Sequence, residues 1–221
     1  MQIAPPARVQ STGAATFSTP HLAQLAANFG TGIAWRAASH EGGLAAAAAQ
    51  TSGAFSVGLS EADGRTSLAV DRFAIHTLCY QVVDGQLRYA PRADALADTH
   101  TEIDPQAIFD YLFFHAIPSP RTIFKGIYRL PPGHCAVFDA GQVKVQPYWT
   151  PTFADSTKAS FEDLRAEFLQ LLQSAVADQL DGSKPACFLS GGTDSSTVAG
   201  MIRKVSGQPA SSYSIGFDAS G

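Results

Sequence analysis

The sequence of 221 residues has few charges and no long run of charge or of hydrophobicity. Lys and Arg together number 15, Asp and Glu number 19, and the net charge is −4. No basic cluster is present, which excludes the electrostatic footprint of a nucleic-acid-binding protein. The longest uninterrupted apolar stretch, residues 44–49, is much shorter than the roughly 20 residues that cross a bilayer. The sequence therefore predicts no nucleic-acid partner and no membrane partner.

Cysteine is also scarce, and its positions indicate no cross-linked framework. The three cysteines, Cys79, Cys135 and Cys187, are an odd number at unrelated spacings, which is typical of neither a disulfide scaffold nor a zinc site. We interpret them as small buried hydrophobic residues in a reducing compartment. The start of the chain lacks the basic and then apolar layout of a signal peptide. Together these absences predict a cytoplasmic protein.

The chain does contain a change of pattern near Pro151, which predicts one domain over residues 1–150 and another over 151–221. The first region has the pattern of short strands joined by turns, and three hairpins are predicted there. Their strands are residues 54–59 with 66–70, 78–83 with 86–90, and 135–138 with 142–145. Strand after strand with few helices favours an antiparallel sheet domain.

Helices of the first region are harder to place. Asp104 followed by Pro105 is typical of a helix start, and the apolar residues after them predict a helix with a packed aromatic face. That face consists of Phe109, Tyr111, Phe113 and Phe114. The Ala-rich residues 44–49 fit either a helix or a connection, and the first ~30 residues predict no element.

The second region has the pattern of a helix followed by a strand–helix–strand unit. The predicted elements are a helix over 161–176, a strand over 186–189, a helix over 197–204 and a strand over 212–217. Ser160 and Asp163 are spaced as a capping pair at the start of the first helix. The first strand is apolar without alternation, as expected of a buried parallel strand. Such a unit is right-handed by default.

The segment between the predicted strand and helix carries the chemistry. Residues 190–196 read SGGTDSS and are called the SGGTDSS loop below. Gly191 and Gly192 let the backbone turn so that its N–H groups approach a ligand, and a helix N-terminus favours an anion. No lysine follows the glycines, so this is not a Walker loop, and Asp194 is the only carboxylate placed to meet Mg²⁺. The loop predicts a phosphate or pyrophosphate cradle; the alternative is a turn that only connects strand to helix.

Residues 188–196, FLSGGTDSS, resemble the pyrophosphate-loop signature of the asparagine synthetases and their relatives, which include β-lactam synthetases and lasso-peptide cyclases. Other ATP pyrophosphatases, among them tRNA-thiolating enzymes, share this signature. The signature therefore indicates the chemistry better than it indicates the substrate.

Three segments of the first region narrow the resemblance to the asparagine synthetase family. Residues 71–80 are similar to the family's Arg-Asp-Arg-Phe-Gly strand pair, with Ala74 in place of its glycine and Thr77 in place of its proline. Residues 122–134, which contain Leu-Pro-Pro-Gly-His, and then Tyr148 with Trp149 are similar to the end of the family's glutaminase-like domain.

The resemblance implies an α+β glutaminase-like domain of the Ntn type, with antiparallel sheet layers, followed by the beginning of an α/β parallel-sheet domain. That second domain is of the ATP-pyrophosphatase type, similar to the adenine nucleotide alpha hydrolases. Its implied ATP- and pyrophosphate-binding residues are Leu189, Ser190, Gly191, Gly192, Asp194, Ser195, Ser196 and Ile215. Asp194 is also the implied Mg²⁺ ligand, and the implied cofactors are ATP and Mg²⁺. The alternative roles are a helix cap for Asp194 and core packing for Leu189 and Ile215.

The region that resembles the glutaminase-like domain lacks the residues that carry out glutamine hydrolysis in the family. In glutamine-using members the nucleophile is the cysteine exposed after removal of the initiator methionine. This sequence has Gln2 at that position, and the family's Arg-Gly-Pro-Asp and Asn-Gly-Glu-Ile-Tyr-Asn segments have no counterpart before Gly53. We therefore expect no glutaminase activity. Because Gly221 falls just after the second strand of the nucleotide domain, we also expect a truncated piece of a longer protein.

The implied function is an ATP-dependent amide-bond ligase of the asparagine synthase type that adenylates a carboxylate and forms AMP and pyrophosphate. Its expected partners are a small-molecule or peptide carboxylate, an amine donor and a second copy in a homodimer. Two alternatives stay open. One is a tRNA-modifying pyrophosphatase, which the acidic composition disfavours. The other is a non-catalytic nucleotide- or partner-binding remnant of the same fold.

The remaining polar residues of the first region predict no second active site. His76, His115 and His134 have no cysteine or carboxylate at a recognisable catalytic spacing, which favours structural or surface roles. Arg72 lies beside Asp71, and the two predict an ion pair inside the first domain.

Overall fold

A computed structural model describes residues 8–153 and 158–216, which fall into two compact units divided after Thr152. The strands of the first unit are β1 (Arg8–Gly13), β2 (Thr16–Phe17), β3 (Thr51–Ser52), β4 (Phe55–Ser60), β5 (Thr66–Val70), β6 (Cys79–Val83), β7 (Gln86–Ala90), β8 (Tyr128–Arg129), β9 (His134–Asp139) and β10 (Gln142–Pro147). Its helices are α1 (Pro20–Phe29), α2 (Thr31–Ala49) and α3 (Pro105–Phe114). The second unit contains α4 (Phe161–Ala177), β11 (Ala186–Phe188), α5 (Thr193–Ser206) and β12 (Ser211–Tyr213).

A five-stranded antiparallel sheet forms the centre of the first unit. Its strand order is β1-β4-β5-β9-β10, and every neighbouring pair runs antiparallel. A smaller antiparallel sheet has the order β7-β6-β8. The predicted antiparallel sheet layers are therefore confirmed.

Side chains alternate between the two faces of the large sheet, as strand geometry requires. On one face, Ala69 of β5 and Cys135 of β9 join a buried cluster with α1 and α2 around Trp35. On the other face, Leu68 of β5 packs in a second cluster with Tyr80 of β6. The first unit thus has three layers, which are a helix pair, the five-stranded sheet and the three-stranded sheet.

All three predicted hairpins form, as β4–β5, β6–β7 and β9–β10. Their turns follow the local signals in the sequence. Asp84 and Gly85 both have positive φ, 51° and 71°, as a type I′ turn requires. Ala140 and Gly141 repeat this at 46° and 81°. The turn residues were therefore sufficient to predict that these neighbouring strands pair.

The N-terminal part contains elements that the sequence did not predict. β1, β2 and α1 all lie within the first ~30 residues. Residues 44–49, ambiguous from their composition, form the end of α2 after a break at Gly43, whose φ is 82°. The small side chains of α2 let it approach the sheet closely, since Ala34, Ala38 and Ala48 are buried beside Trp35.

Helix α3 begins where the sequence predicts, but its aromatic face is not packed. Asp104 caps the helix by accepting a hydrogen bond from the Gln106 N–H. The expected face is exposed in the described part of the first unit: Phe109, Tyr111, Phe113 and Phe114 are each more than half exposed. The prediction of a packed face was therefore wrong. Residues of α3 are apolar on nearly every side of the helix, but Ala107 is its only buried residue.

Asp71 is buried and does not pair with its neighbour Arg72. Its carboxylate accepts hydrogen bonds from backbone N–H groups, those of Phe55, Phe73, Ile75 and His76. Arg72 instead donates to the carbonyl oxygens of Ala49 and Thr51, at 3.0 and 3.2 Å. The predicted ion pair is therefore wrong, because backbone groups on two different segments satisfy each side chain separately.

The segments that carry the family resemblance meet at one place in the first unit. The Asp71 carbonyl oxygen accepts the Gly133 N–H at 3.0 Å, and the Gly133 carbonyl accepts the N–H groups of Tyr148 and Trp149. A Cβ atom on Gly133 would lie 2.6 Å from the Trp149 carbonyl oxygen, so a side chain does not fit there. Ala74, which replaces the family's glycine, has φ 50° in the left-handed region that favours glycine. These segments build the scaffold of this unit.

Tyr148 links this junction to strand β5 through its side chain. Its hydroxyl donates to the Val70 carbonyl oxygen at 2.6 Å, and burial raises the pKa of Tyr148 to about 12. Because burial favours the neutral phenol, the folded-state pKa lies above the ordinary value of 10. The resulting stabilisation is fully present below about pH 10 and is lost as the pH rises through about 12.

We therefore expect the free energy of unfolding to fall between pH 10 and 12 less steeply in Tyr148→Phe than in the unchanged protein. Urea titrations at a series of pH values measure this difference. At neutral pH the variant is expected to lose about 1 kcal/mol, because the Val70 carbonyl loses its partner. Parallel pH profiles for the two proteins would contradict the assignment.

The second unit has the predicted order of helix, strand, helix and strand. Ser160 and Asp163 form the predicted capping box at the start of α4. The Ala186–Phe188 strand is parallel to its partner, as predicted, but it is not buried: Phe188 is 74% exposed. Among the residues that the structure describes here, the sheet has only two strands, so much of its apolar surface has no cover.

None of the helices within residues 8–153 and 158–216 is long and apolar enough to cross a membrane.

The prediction that all three cysteines are buried is confirmed for two of them. Cys79 and Cys135 are buried, whereas Cys187 in β11 is partly exposed.

Candidate functional site

The SGGTDSS loop lies at the carboxyl end of β11, where the chain passes into α5. β11 and β12 pair in parallel, and α5 connects them, which confirms the predicted parallel pairing of the two strands. The helix begins at Thr193, earlier than the predicted residue 197. Asp194, Ser195 and Ser196 therefore stand in the first turn of α5 rather than in the loop before it.

Hydroxyl groups tie the loop to this first turn. The Ser195 hydroxyl lies 3.3 Å from the Ser190 N–H and 3.1 Å from the Ser190 hydroxyl. It also donates to the Gly192 carbonyl oxygen, at 3.2 Å. The same carbonyl accepts the Ser196 hydroxyl at 2.8 Å. These bonds fold Ser190 back over the start of the helix.

The backbone N–H groups of the first turn are left without partners. Gly192 is the N-cap residue and provides no side-chain cap. Within the described residues, the N–H groups of Thr193, Asp194 and Ser195 donate to no other group. Such free donors, together with the positive end of the helix dipole, stabilise a negatively charged group. The loop can therefore accept an anion the size of a phosphate through its backbone.

Asp194 is exposed in this first turn, and its carboxylate makes no hydrogen bond or ion pair in the described part of the chain. Its carboxylate is thus available to a cation. No group of three or more His, Cys, Asp or Glu residues lies together within residues 8–153 and 158–216. A single exposed carboxylate fits Mg²⁺, which commonly takes one or two carboxylates and completes its shell with phosphate oxygens and water.

Leu189 and Ile215 follow the ends of the two parallel strands. The Leu189 N–H donates to the Tyr213 carbonyl oxygen at 2.8 Å, and its own carbonyl accepts the Ser214 hydroxyl at 2.6 Å. Only the second lone pair of that carbonyl is therefore open to a ligand. Ile215 lies beyond the end of β12, is exposed and has free access to solvent.

Ser214 is a residue at the site that sequence reasoning missed. Its hydroxyl joins the end of one strand to the segment after the other. A single serine in a predicted strand carries no signal of such a contact. Phe217, the last residue of the predicted strand, lies outside the described residues.

A cavity of about 560 Å³ opens elsewhere in the second unit, between α4, α5 and β11. Its walls include Leu172, Val176 and Val198, and no residue of the SGGTDSS loop lines it. It is therefore separate from the SGGTDSS loop.

The first unit contains no thiol poised for catalysis in its described residues. Burial raises the pKa of both Cys79 and Cys135, which disfavours the thiolate that a nucleophile requires. The Cys135 thiol donates to the Gln146 carbonyl oxygen at 3.6 Å. His134 contacts the Pro132 carbonyl oxygen through Nδ1, which is a structural role.

Comparison with known families assigns both regions. The model of a glutamine amidotransferase domain matches residues 34–149, more than half of the chain, and the asparagine synthase model matches residues 167–221. The chain belongs to the asparagine synthase family. It carries the glutaminase-like domain of that family first, and the residues of the SGGTDSS loop lie in the asparagine synthase region. The family is one of amidotransferase and ligase enzymes.

Individual proteins are moderately similar to the chain. Glutamine-hydrolyzing asparagine synthetase 1 of Bacillus subtilis is 27% identical over 164 residues, which are 69% of this chain and 24% of that protein. Amidase chyE of Penicillium rubens is 34% identical over 141 residues, 61% of this chain and 20% of that protein. The chain thus spans about a quarter or less of the length of these relatives.

Two solved structures are among those to which the chain was matched. They are the glutamine phosphoribosylpyrophosphate amidotransferase of B. subtilis in complex with ADP and GMP, and an allosteric regulatory enzyme of purine biosynthesis. The first is 9% identical with a TM-score of 0.39, covering 93% of this chain and 45% of that one. The second is 12% identical with a TM-score of 0.41, covering 92% of this chain and 44% of that one.

Proposed function

We propose that the protein is an ATP-dependent amide-bond ligase that activates a carboxylate by adenylation and releases AMP and pyrophosphate. The observation that carries this proposal is the SGGTDSS loop, whose first helical turn has three unpartnered N–H groups beside the free Asp194 carboxylate. A carboxylate oxygen would attack the α-phosphorus of ATP and break its bond to the bridging oxygen of pyrophosphate. An amine would then attack the acyl carbon, lose a proton and displace AMP.

The residues of the loop have distinct parts in this proposal. The unpartnered backbone N–H groups of Thr193, Asp194 and Ser195 would receive the charge of the departing pyrophosphate, because free donors at a helix start are already oriented for it. The hydroxyls of Ser190 and Ser196 border the same space. Leu189 and Ile215 would face the adenosine part of ATP at the strand ends.

Asp194 would hold Mg²⁺. When bound, this ion offsets the negative charge on the leaving pyrophosphate. The carboxylate fits the role because it is exposed and has no partner within the described residues. The ion's other ligands would be phosphate oxygens and water.

The amine is proposed to come from the substrate or from ammonia and not from glutamine hydrolysed by this chain. This is supported by the two cysteines of the first unit, Cys79 and Cys135, which are buried with raised pKa. A glutaminase needs an accessible thiolate. The acceptor would be a small-molecule or peptide carboxylate.

The test is AMP release from ATP by the full-length protein, assayed with a panel of amino-acid and peptide carboxylates and with either ammonium or glutamine. Asp194→Ala is expected to lower the rate at least about 100-fold through loss of the metal ligand. Ser190→Ala is expected to lower it by about tenfold or more through loss of a hydrogen bond near charge. Glutamine is expected to yield no glutamate above background.

Ser212→Ala serves as the control, because this exposed serine of β12 lies in the same sheet outside the loop. Unchanged rates in both Asp194→Ala and Ser190→Ala would sink the proposal. Steady release of glutamate would overturn the part that concerns the amine. If the protein binds magnesium ATP but forms no AMP with any acid, the non-catalytic nucleotide-binding alternative is correct.

A further inference from the structure

The Ser195 hydroxyl is already engaged within the protein. Its oxygen lies 3.2 Å from the Gly192 carbonyl oxygen, 3.1 Å from the Ser190 hydroxyl and 3.3 Å from the Ser190 nitrogen, whose N–H it accepts. A hydroxyl has one proton, and this one goes to the Gly192 carbonyl or to the Ser190 hydroxyl. An anion needs donors, and this group has no free proton to give.

The position of these partners shows what the bonds restrain. Ser190 is the first residue of the loop and Gly192 is the N-cap of α5, so Ser195 reaches across both ends of the turn. The Gly192 N–H in turn lies 3.4 Å from the Ser190 hydroxyl. Ser195 is half-buried, whereas Gly191, Gly192 and Asp194 are exposed.

We propose that Ser195 is a positioning residue whose hydroxyl holds residues 190–192 in the conformation that presents the backbone donors, and that it does not itself contact pyrophosphate. This inference rests on the proposed pyrophosphate-binding function of the loop. It divides the serines of the motif by role. Ser195 fixes the loop from inside, and the unpartnered N–H groups of the first turn meet the ligand.

A matched control is available two residues further along the same helix. The Thr197 hydroxyl donates to the Thr193 carbonyl oxygen at 2.8 Å. This is the same kind of bond, from a hydroxyl to a carbonyl earlier in the chain, but it does not reach Ser190 or Gly191. Thr197→Ala therefore removes a hydroxyl bond of α5 without touching residues 190–192.

The experiment uses the full-length protein and two measurements on Ser195→Ala, Ser195→Thr and Thr197→Ala. Calorimetry gives the affinity for magnesium pyrophosphate, and hydrogen exchange of the ligand-free protein reports the order of residues 190–192. Ser195→Ala is expected to weaken pyrophosphate binding about tenfold and to speed exchange in the loop about tenfold. Ser195→Thr keeps the hydroxyl and is expected to restore both, and Thr197→Ala is expected to change neither.

The outcomes separate the possible roles. Weaker binding by Ser195→Ala with unchanged exchange in the free protein would overturn the proposal and make Ser195 a direct ligand. Unchanged exchange and unchanged binding would leave Ser195 with no role in the loop, which also overturns it. Absence of pyrophosphate binding by the unchanged protein would contradict the proposed function, while the exchange measurement would still decide whether Ser195 orders the loop.

Discussion

Replacement of Asp71 by alanine is expected to lower the free energy of unfolding of the first unit by about 4 kcal/mol. The residue is 2% exposed, and its carboxylate accepts four backbone N–H groups. Alanine would leave these four donors without their partner, and the Phe55 N–H among them is buried. A domain of this size is stable by only about 5–15 kcal/mol, so the variant would sit near the threshold of folding.

Urea denaturation followed by circular dichroism measures this loss, and Asp63→Ala is the matched control. The Asp63 carboxylate accepts a single N–H, that of Arg65, in an exposed turn. Its removal is expected to cost less than about 1 kcal/mol. Asp71→Asn, which keeps one carbonyl oxygen, is expected to lie between the two. A loss below about 1 kcal/mol in Asp71→Ala would contradict the conclusion that this carboxylate organises residues 71–76.

Replacement of Trp35 by alanine is expected to cost about 3–5 kcal/mol. Its indole is fully buried between Phe17 and Phe55, with ring centroids 5.0 and 4.9 Å away. Removing it opens a cavity at the centre of the layer between α2 and the large sheet. The free energy of unfolding from chemical denaturation gives the size of the loss.

Trp35→Phe separates the size of the side chain from its polar atom. The indole Nε1–H is the one buried side-chain polar atom in the described residues that has no hydrogen-bond partner. Phenylalanine loses part of the packing but also removes this unpaired donor. We therefore expect a loss of about 1 kcal/mol or less. Equal losses for Trp35→Phe and Trp35→Ala would show that filling the space is not what stabilises this layer.

The hairpins were predictable because each depends on a few adjacent residues. Asp84-Gly85 and Ala140-Gly141 select a tight turn, and strands on either side of such a turn must pair. β1 gave no such signal. Its residues Arg8–Gly13 alternate only weakly, and the strand pairs with β4, more than forty residues along the chain. Its formation depends on that distant partner and not on its own sequence.

The errors at α3 and β11 share a physical cause. Their apolar residues correctly indicate regular structure, but sequence alone does not say what covers an apolar face. Phe113 is 68% exposed and Phe188 74% exposed, because the described residues supply no neighbour on that side. The ion pair of Asp71 with Arg72 was predicted because the two residues are adjacent in the sequence. In the structure, backbone groups take up the hydrogen bonds of each side chain instead.

At the candidate site, the sequence indicated the loop and its residues but not their arrangement. Glycines and serines before a helix predict a cradle for an anion. Which hydroxyl faces the ligand depends on loop torsions that composition does not encode. The contacts of Ser195 with Ser190 and Gly192, and of Ser214 with Leu189, are of this kind.

The burial of Trp35 has a practical consequence for spectroscopy. Both tryptophans of the chain, Trp35 and Trp149, belong to the first unit, and the second unit has none. Trp149 lies 5.6 Å from the Phe73 ring, so both indoles report the tertiary structure of that unit. Tryptophan fluorescence therefore follows only the first unit, while far-ultraviolet dichroism follows both. A mismatch between the two melting curves would resolve the independent unfolding of the second unit without any added label.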